Sequence, residues 1–99
     1  MEKMNPAPHW HYVYLLSSKK DMNKIYMGCT NDLHNRLKEH NEGKNYYTKR
    51  MLPIELIYFE AYKSKKDAFE REKHLKYYGS ALRNLKMRLK GTFFDGGAG

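Results

Sequence analysis

The run Trp10-His11-Tyr12-Val13-Tyr14-Leu15-Leu16 places three aromatic rings, a β-branched residue and two leucines in seven positions, without a glycine, proline or acid. A pleated, buried surface favours that composition, and it reads as a strand. The polar stretch Ser17 to Asn23 turns the chain. Lys24-Ile25-Tyr26-Met27-Gly28-Cys29 follows as a second short strand. A connection this short makes the two strands an antiparallel hairpin.

Beyond the hairpin, Thr30 or Asn31 is positioned to cap a helix reaching about Glu42. Leu33, Leu37 and His40 share one face of it, and Gly43 stops it. Asn45 to Leu52 is a polar loop holding Tyr46, Tyr47 and Thr48. Pro53 precedes a third strand, Ile54 to Ala61, of alternating pattern. Ser64-Lys65-Lys66-Asp67 has the form of a capping signal. The helix it opens aligns Ala68, Phe69, Glu72 and Leu75, and Gly79 breaks it. Ser80 opens a last helix with Leu82, Leu85 and Leu89 as its stripe. The order β-β-α-β-α-α predicts an α+β fold, a three-stranded antiparallel sheet flanked by three helices. The folded domain is expected over residues 10–90. Residues 1–9, with two prolines, and 91–99, with four glycines, read as flexible termini.

At 99 residues the chain has room for one small domain, which excludes a Rossmann pair, a barrel or a solenoid. Fourteen per cent aromatic content, nine tyrosines included, is too much ring surface for a disordered segment. Nineteen Lys and Arg against eleven Asp and Glu give a net charge of +8. Such a charge favours polyanions, nucleic acid ahead of an anionic membrane. A lone cysteine, Cys29, excludes an internal disulfide and a CxxC metal knuckle, and suits a reducing cytosol. No apolar run nears the roughly 18 residues of a spanning helix, and the first residues hold no apolar signal core. A cytoplasmic protein is the expectation.

The charge is uneven. Lys63 to Lys90 holds ten Lys and Arg against three acids, and no acid falls between Glu72 and Asp95. A solvated helical face explains any one of these lysines. The asymmetric block as a whole reads as a phosphate-tracking surface, with Lys73, Lys76, Arg83 and Lys86 as its nucleic-acid contacts.

Glu72 falls on the inward stripe of its helix, where a carboxylate needs an arginine or a metal ion as partner. Arg36 lies near the inward edge of the first helix. A structural Arg36–Glu72 ion pair and a catalytic site account for the two equally well. Tyr58, Tyr62, Tyr77 and Tyr78 read as packing residues. Tyr12 and Tyr14 share a face of the first strand, beside Tyr26 on the second. The histidines are not spaced for zinc, and no Gly-rich phosphate loop, GxSxG elbow or Cys/His pair occurs.

Taken together, these residues resemble the GIY-YIG nuclease superfamily, particularly its small single-domain bacterial members. Tyr12-Val13-Tyr14 stands at the first signature triplet and Tyr26-Met27-Gly28 at the second. Arg36 follows Tyr26 by ten residues, as the family arginine does, and His40 stands where the family uses Tyr or His. Ala68 to Lys76 is similar to the family helix carrying the metal-binding glutamate, which puts that role on Glu72. Asn84, twelve residues later, matches the site-organising asparagine. The resemblance covers residues 11–90. It departs in Tyr12 for Gly, Val13 in the first triplet and Met27 for Ile.

The resemblance implies a metal-dependent endonuclease acting on nucleic acid, DNA ahead of RNA, with Mg²⁺ or Mn²⁺ as cofactor. Its implied catalytic residues are Tyr14, Tyr26, Arg36, His40, Glu72 and Asn84. Glu72 would hold the ion, since Mg²⁺ accepts one protein carboxylate when waters and phosphate oxygens complete its shell. Arg36 would clamp a phosphate oxygen with its planar fork. Tyr14 or Tyr26 would orient or deprotonate the attacking water, which requires positive charge nearby to make a tyrosine of pKa about 10 ionise. His40 would relay hydrogen bonds and Asn84 would position its neighbours. The family often attaches a separate DNA-binding domain. With none in this stretch, structure-dependent cleavage or targeting by a protein partner is expected, and no membrane. Two rival classes are a catalytically silent nucleic-acid-binding module of the same fold, and a non-enzymatic basic factor on a ribosome or membrane surface.

Overall fold

In the computed structural model of the protein, which describes residues 9–94, the hairpin forms as β1 (His11–Ser18) and β2 (Ile25–Thr30). The third strand, β3 (Ile54–Tyr62), pairs antiparallel with the other edge of β1, giving the order β2-β1-β3. The helices are α1 (Leu33–Asn41), α2 (Lys65–Tyr77), α3 (Gly79–Arg88) and a single turn, α4 (Lys90–Phe93). A 3₁₀ turn, Lys49–Met51, lies in the loop before β3. The expected α+β architecture is therefore present, with α4 as an added turn.

β1 is central, and Val13 through Ser18 are all buried. Helices cover both of its faces, which is why its sequence is a continuous run rather than an alternation. On one face Val13 and Leu15 pack with Ala68 and Leu75 of α2 and Leu85 of α3. On the other, Tyr14 and Leu16 pack with Ile54, Leu33 and Leu37. The register sets Tyr14 opposite Gly28 and Leu16 opposite Tyr26.

Several boundaries differ from expectation. Thr30 ends β2, and the cap of α1 is Asp32, whose carboxylate accepts from the Asn35 N–H at 3.0 Å. Gly43, at φ 74°, closes α1 in the left-handed region that glycine tolerates. Ser64 caps α2 as its motif predicts. Phe69, expected on the inward stripe, is 47% exposed; the buried stripe runs through Ala68 and Leu75, and Phe69 sits about 100° around the helix from Ala68. Tyr77 and Tyr78 are exposed rather than packed, because Tyr77 is turned about 200° from Leu75 and Tyr78 lies beyond the helix end. The last helix starts at Gly79, one residue before Ser80. Of the expected termini, residues 1–8 and 95–99 lie outside the described residues. Gly91 to Phe93 belong to α4, and Phe93 packs on the core.

Candidate active site

The site is organised by a close approach between the two hairpin strands. Tyr14 is fully buried and its phenol crosses directly over Gly28, so a Cβ built on Gly28 would collide with the Tyr14 hydroxyl and ring. The absence of a side chain at Gly28 lets the phenol reach α1. There its hydroxyl lies 2.9 Å from Nε2 of His40. His40, 1% exposed, places Nδ1 2.7 Å from Oγ1 of Thr48, which is also fully buried. Tyr26 completes the group, its ring centroid 6.5 Å from that of Tyr14 and 5.4 Å from that of His40. Unlike Tyr14, Tyr26 is half-buried.

Arg36, four residues before His40 on α1, is near enough to act on the Tyr14 hydroxyl. Burial pushes the Tyr14 pKa up to about 12, against the hydrogen bond and charge of Arg36, which pull it down. Burial therefore outweighs the positive charge that was expected to make a tyrosine ionise here. Burial, with Arg36 adding to it, holds His40 below its ordinary value, so the imidazole is kept neutral. The charge of Glu72 also reaches Tyr14 and Cys29. The Arg36–Glu72 ion pair does not form. Arg36 pairs with Glu39 at 3.3 Å and Glu72 with Lys76 at 3.0 Å, each on its own helix, where such pairs need no tertiary alignment.

The structure thus brings Tyr14, Tyr26, Arg36 and His40 together, with Glu72 in electrostatic reach from α2. Asn84 is exposed on α3 and, among the described residues, its side chain makes no hydrogen bond. Of the expected basic contacts, Lys73 is exposed beside Lys65, Lys66 and Phe69, and Arg83 is exposed on α3. Lys76 is committed to Glu72, and Lys86 lies over the Phe93 ring.

Other residues near the site were not expected there from the sequence. Next to Arg36 a cavity of about 190 Å³ opens between β2 and α2, lined by His11, Cys29, Lys65 and Phe69. Lys65 lies 5.5 Å from the centre of the Phe69 ring. On the α1 side, Tyr46 and Tyr47 are exposed, with Lys49 and Arg50 5.1 and 5.7 Å from the Tyr46 ring centre. Thr48, on the same turn, faces inward. Only the juxtaposition of Thr with two tyrosines and two cations hinted at this loop.

Among the described residues no three His, Cys, Asp or Glu side chains gather to cage a metal. Glu72, its side chain 20% exposed and one oxygen held by Lys76, fits a hard cation that completes its shell with water and substrate oxygens. It does not fit a preformed protein cage.

A buried hairpin tyrosine bonded to a histidine of the following helix, with an arginine on that helix and a glutamate on the next, is the arrangement of a nuclease domain. A family model described as GIY-YIG catalytic domain matches residues 10–77, and the chain belongs to this family. It is similar to the UPF0213 protein YazA of Bacillus subtilis, 43% identical over 80 residues, 80% of this chain and 75% of YazA. The UPF0213 protein CPE1444 of Clostridium perfringens is 39% identical over 80 residues, covering 80% of this chain and 81% of its own. The solution NMR structure of a UPF0213 protein from Bacillus halodurans matches with a TM-score of 0.50 and 34% identity, covering 83% of this chain and 86% of that one.

Proposed function

We propose that the protein is a divalent-metal-dependent endonuclease that hydrolyses phosphodiester bonds, of DNA ahead of RNA, in repair, recombination or structure-specific processing. The observation that carries this reading is the meeting of Tyr14, which crosses over Gly28, with Tyr26, Arg36 and His40, within electrostatic reach of Glu72. Glu72 would hold Mg²⁺ or Mn²⁺, which when bound neutralises charge developing on the phosphate and leaving oxygen. Arg36 donates to a non-bridging oxygen. Tyr26 is the tyrosine a water can reach, and it orients or deprotonates the nucleophile. Tyr14, sealed beneath, braces the site with His40. Asn84 would position its neighbours. Lys73 and Arg83, together with the Phe69 and Tyr46 patches, offer cations beside rings, a surface suited to phosphates and bases. A cytoplasmic setting and a targeting protein partner belong to the same reading.

One observation favours the silent binding module: Lys76 occupies the Glu72 carboxylate where a cation would sit. Labelled DNA and RNA structures incubated with Mg²⁺ or Mn²⁺, and with chelator, separate the readings. The expected outcome is metal-dependent cleavage that Glu72→Gln lowers by orders of magnitude while nucleic-acid binding persists. Binding without cleavage by the parent protein under all conditions favours the silent module.

A further inference from the structure

We propose that the cavity between β2 and α2 is a subsite for one unpaired nucleobase, with Phe69 as the residue that determines this specificity. The base beside the bond to be cut packs against the Phe69 ring. Placing that bond at Arg36 rests on the nuclease reading; the base-accepting cavity does not.

The cavity holds about 190 Å³. Sites for drug-sized ligands begin at roughly 300 Å³, so this one has room for a single small planar group. Its walls differ in kind. Phe69, 47% exposed, and the half-buried Cys29 are apolar. His11 and Asn31 bring an imidazole and an amide that, among the described residues, make no side-chain hydrogen bond. Arg36 and Lys65 bring positive charge, and Lys65 Nζ lies 5.5 Å from the centre of the Phe69 ring. A phosphate alone would use the cations and gain nothing from the ring. An aliphatic ligand would cover the ring and strand the amide and the imidazole. A nucleobase uses all of them: its π face stacks on the ring, its edge meets Asn31 and His11, and its own phosphate meets Lys65 and Arg36.

Arg36 also lines a second cavity of about 150 Å³, with Glu39, Lys44 and Asn45. A phosphate held by Arg36 therefore has space on two sides. One flanking base enters the Phe69 cavity, and the strand continues past Lys44 toward the exposed Tyr46 and Tyr47. A base inside a duplex reaches such a cavity only by extrusion, which costs its stacking and pairing. An unpaired base incurs no pairing cost. The substrate class is thus a strand unpaired beside the cut, in preference to continuous duplex.

The test uses the full-length protein in chelator, where binding is read without cleavage. The probes are an end-labelled DNA single strand and the same strand in duplex, followed by fluorescence anisotropy. The parent should bind the single strand about tenfold more tightly than the duplex. Phe69→Ala should weaken the single strand about tenfold and leave the duplex unchanged. Phe69→Trp should keep the preference, and its emission above the Trp10 background should be quenched by the single strand and not by the duplex. Equal affinity of the parent for both forms overturns the proposal, as does a Phe69→Ala variant that binds as the parent does or weakens both forms alike. An unquenched Phe69→Trp signal overturns it too. Cleavage with Mg²⁺ or Mn²⁺ restored separates the two readings. A parent that selects the single strand through Phe69 and cuts nothing refutes the nuclease reading and leaves the subsite standing. Metal-dependent cleavage of continuous duplex as fast as of single strand keeps the nuclease reading and overturns the subsite.

Discussion

The missing Cβ of Gly28 and the neutral ring of His40 are two halves of one arrangement. The first gives the Tyr14 phenol its path, and the second receives it in a pocket closed to water. Keeping His40 neutral makes stability depend on pH. Its folded pKa lies below the ordinary 6.5, so the unfolded chain takes up a proton first as pH falls through that value. This contribution is complete above the unfolded pKa and is lost on acidification toward the folded one. The melting temperature should therefore drop between pH 7.5 and 5.5, and His40→Gln should flatten the slope. A parent Tm that is level across that window would contradict the sealed, neutral imidazole.

At the scale of elements, α2 is fixed to the sheet by more than Ala68 and Leu75. Arg71 forms a two-pronged pair with Glu60 of β3, Nε to Oε1 at 2.9 Å and a terminal nitrogen to Oε2 at 3.0 Å. The Tyr58 and Tyr62 hydroxyls donate to the same carboxylate. Burial pushes the Glu60 pKa up, but Arg71 and the two hydroxyls outweigh it and hold it below its ordinary value. Four donors on one carboxylate make this a clamp between β3 and α2, on the sheet face opposite Tyr14. Arg71→Met should cost about 2 kcal/mol, less than a fully buried pair because both side chains keep some exposure. For a domain of this size the Tm falls by roughly 10 °C. Adding Glu60→Gln should recover part of the loss, since the stranded charge goes with it. A double variant as unstable as the sum of its parts would show that the clamp residues act independently.

Across the whole molecule, two groups of cations beside aromatic rings flank the site. Lys65, Lys66 and Lys73 surround Phe69 on one side, and Lys49 and Arg50 border Tyr46 on the other. Lys76 and Lys86 are occupied by Glu72 and the Phe93 ring, which makes them less available to phosphate. Reversing Lys66 and Lys73 to Glu should weaken nucleic-acid binding and shallow the slope of log affinity against log salt. Each phosphate that is no longer neutralised takes about 0.7 to 0.9 from that slope. An unchanged slope would mark this face as merely solvated. Among the described residues no helix is long and apolar enough to cross a membrane.

The hairpin, the Ser64 cap, the end of α1 at Gly43 and the inward face of Leu33, Leu37 and His40 were legible in the chain. Each depends on residues within a few positions of one another, where local geometry leaves few choices. The nuclease triplets and the spacing of Arg36, His40 and Glu72 were legible too, as a resemblance. Tertiary structure alone decided the rest. That Arg36 and Glu72 do not pair with each other depended on how α1 and α2 are placed on the sheet, whereas Glu39 and Lys76, the partners they take, are local to each helix. Phe69 and Tyr77 face outward because the sheet fixes which arc of α2 is buried, and Tyr78 because it lies past the end of α2. Thr48 meets His40 only because a loop folds back over the end of α1, a contact between side chains eight residues apart that no periodicity encodes. A pairing of that kind is chosen by the free energy of closing a buried cavity around polar atoms, and that quantity exists only once the whole chain has packed.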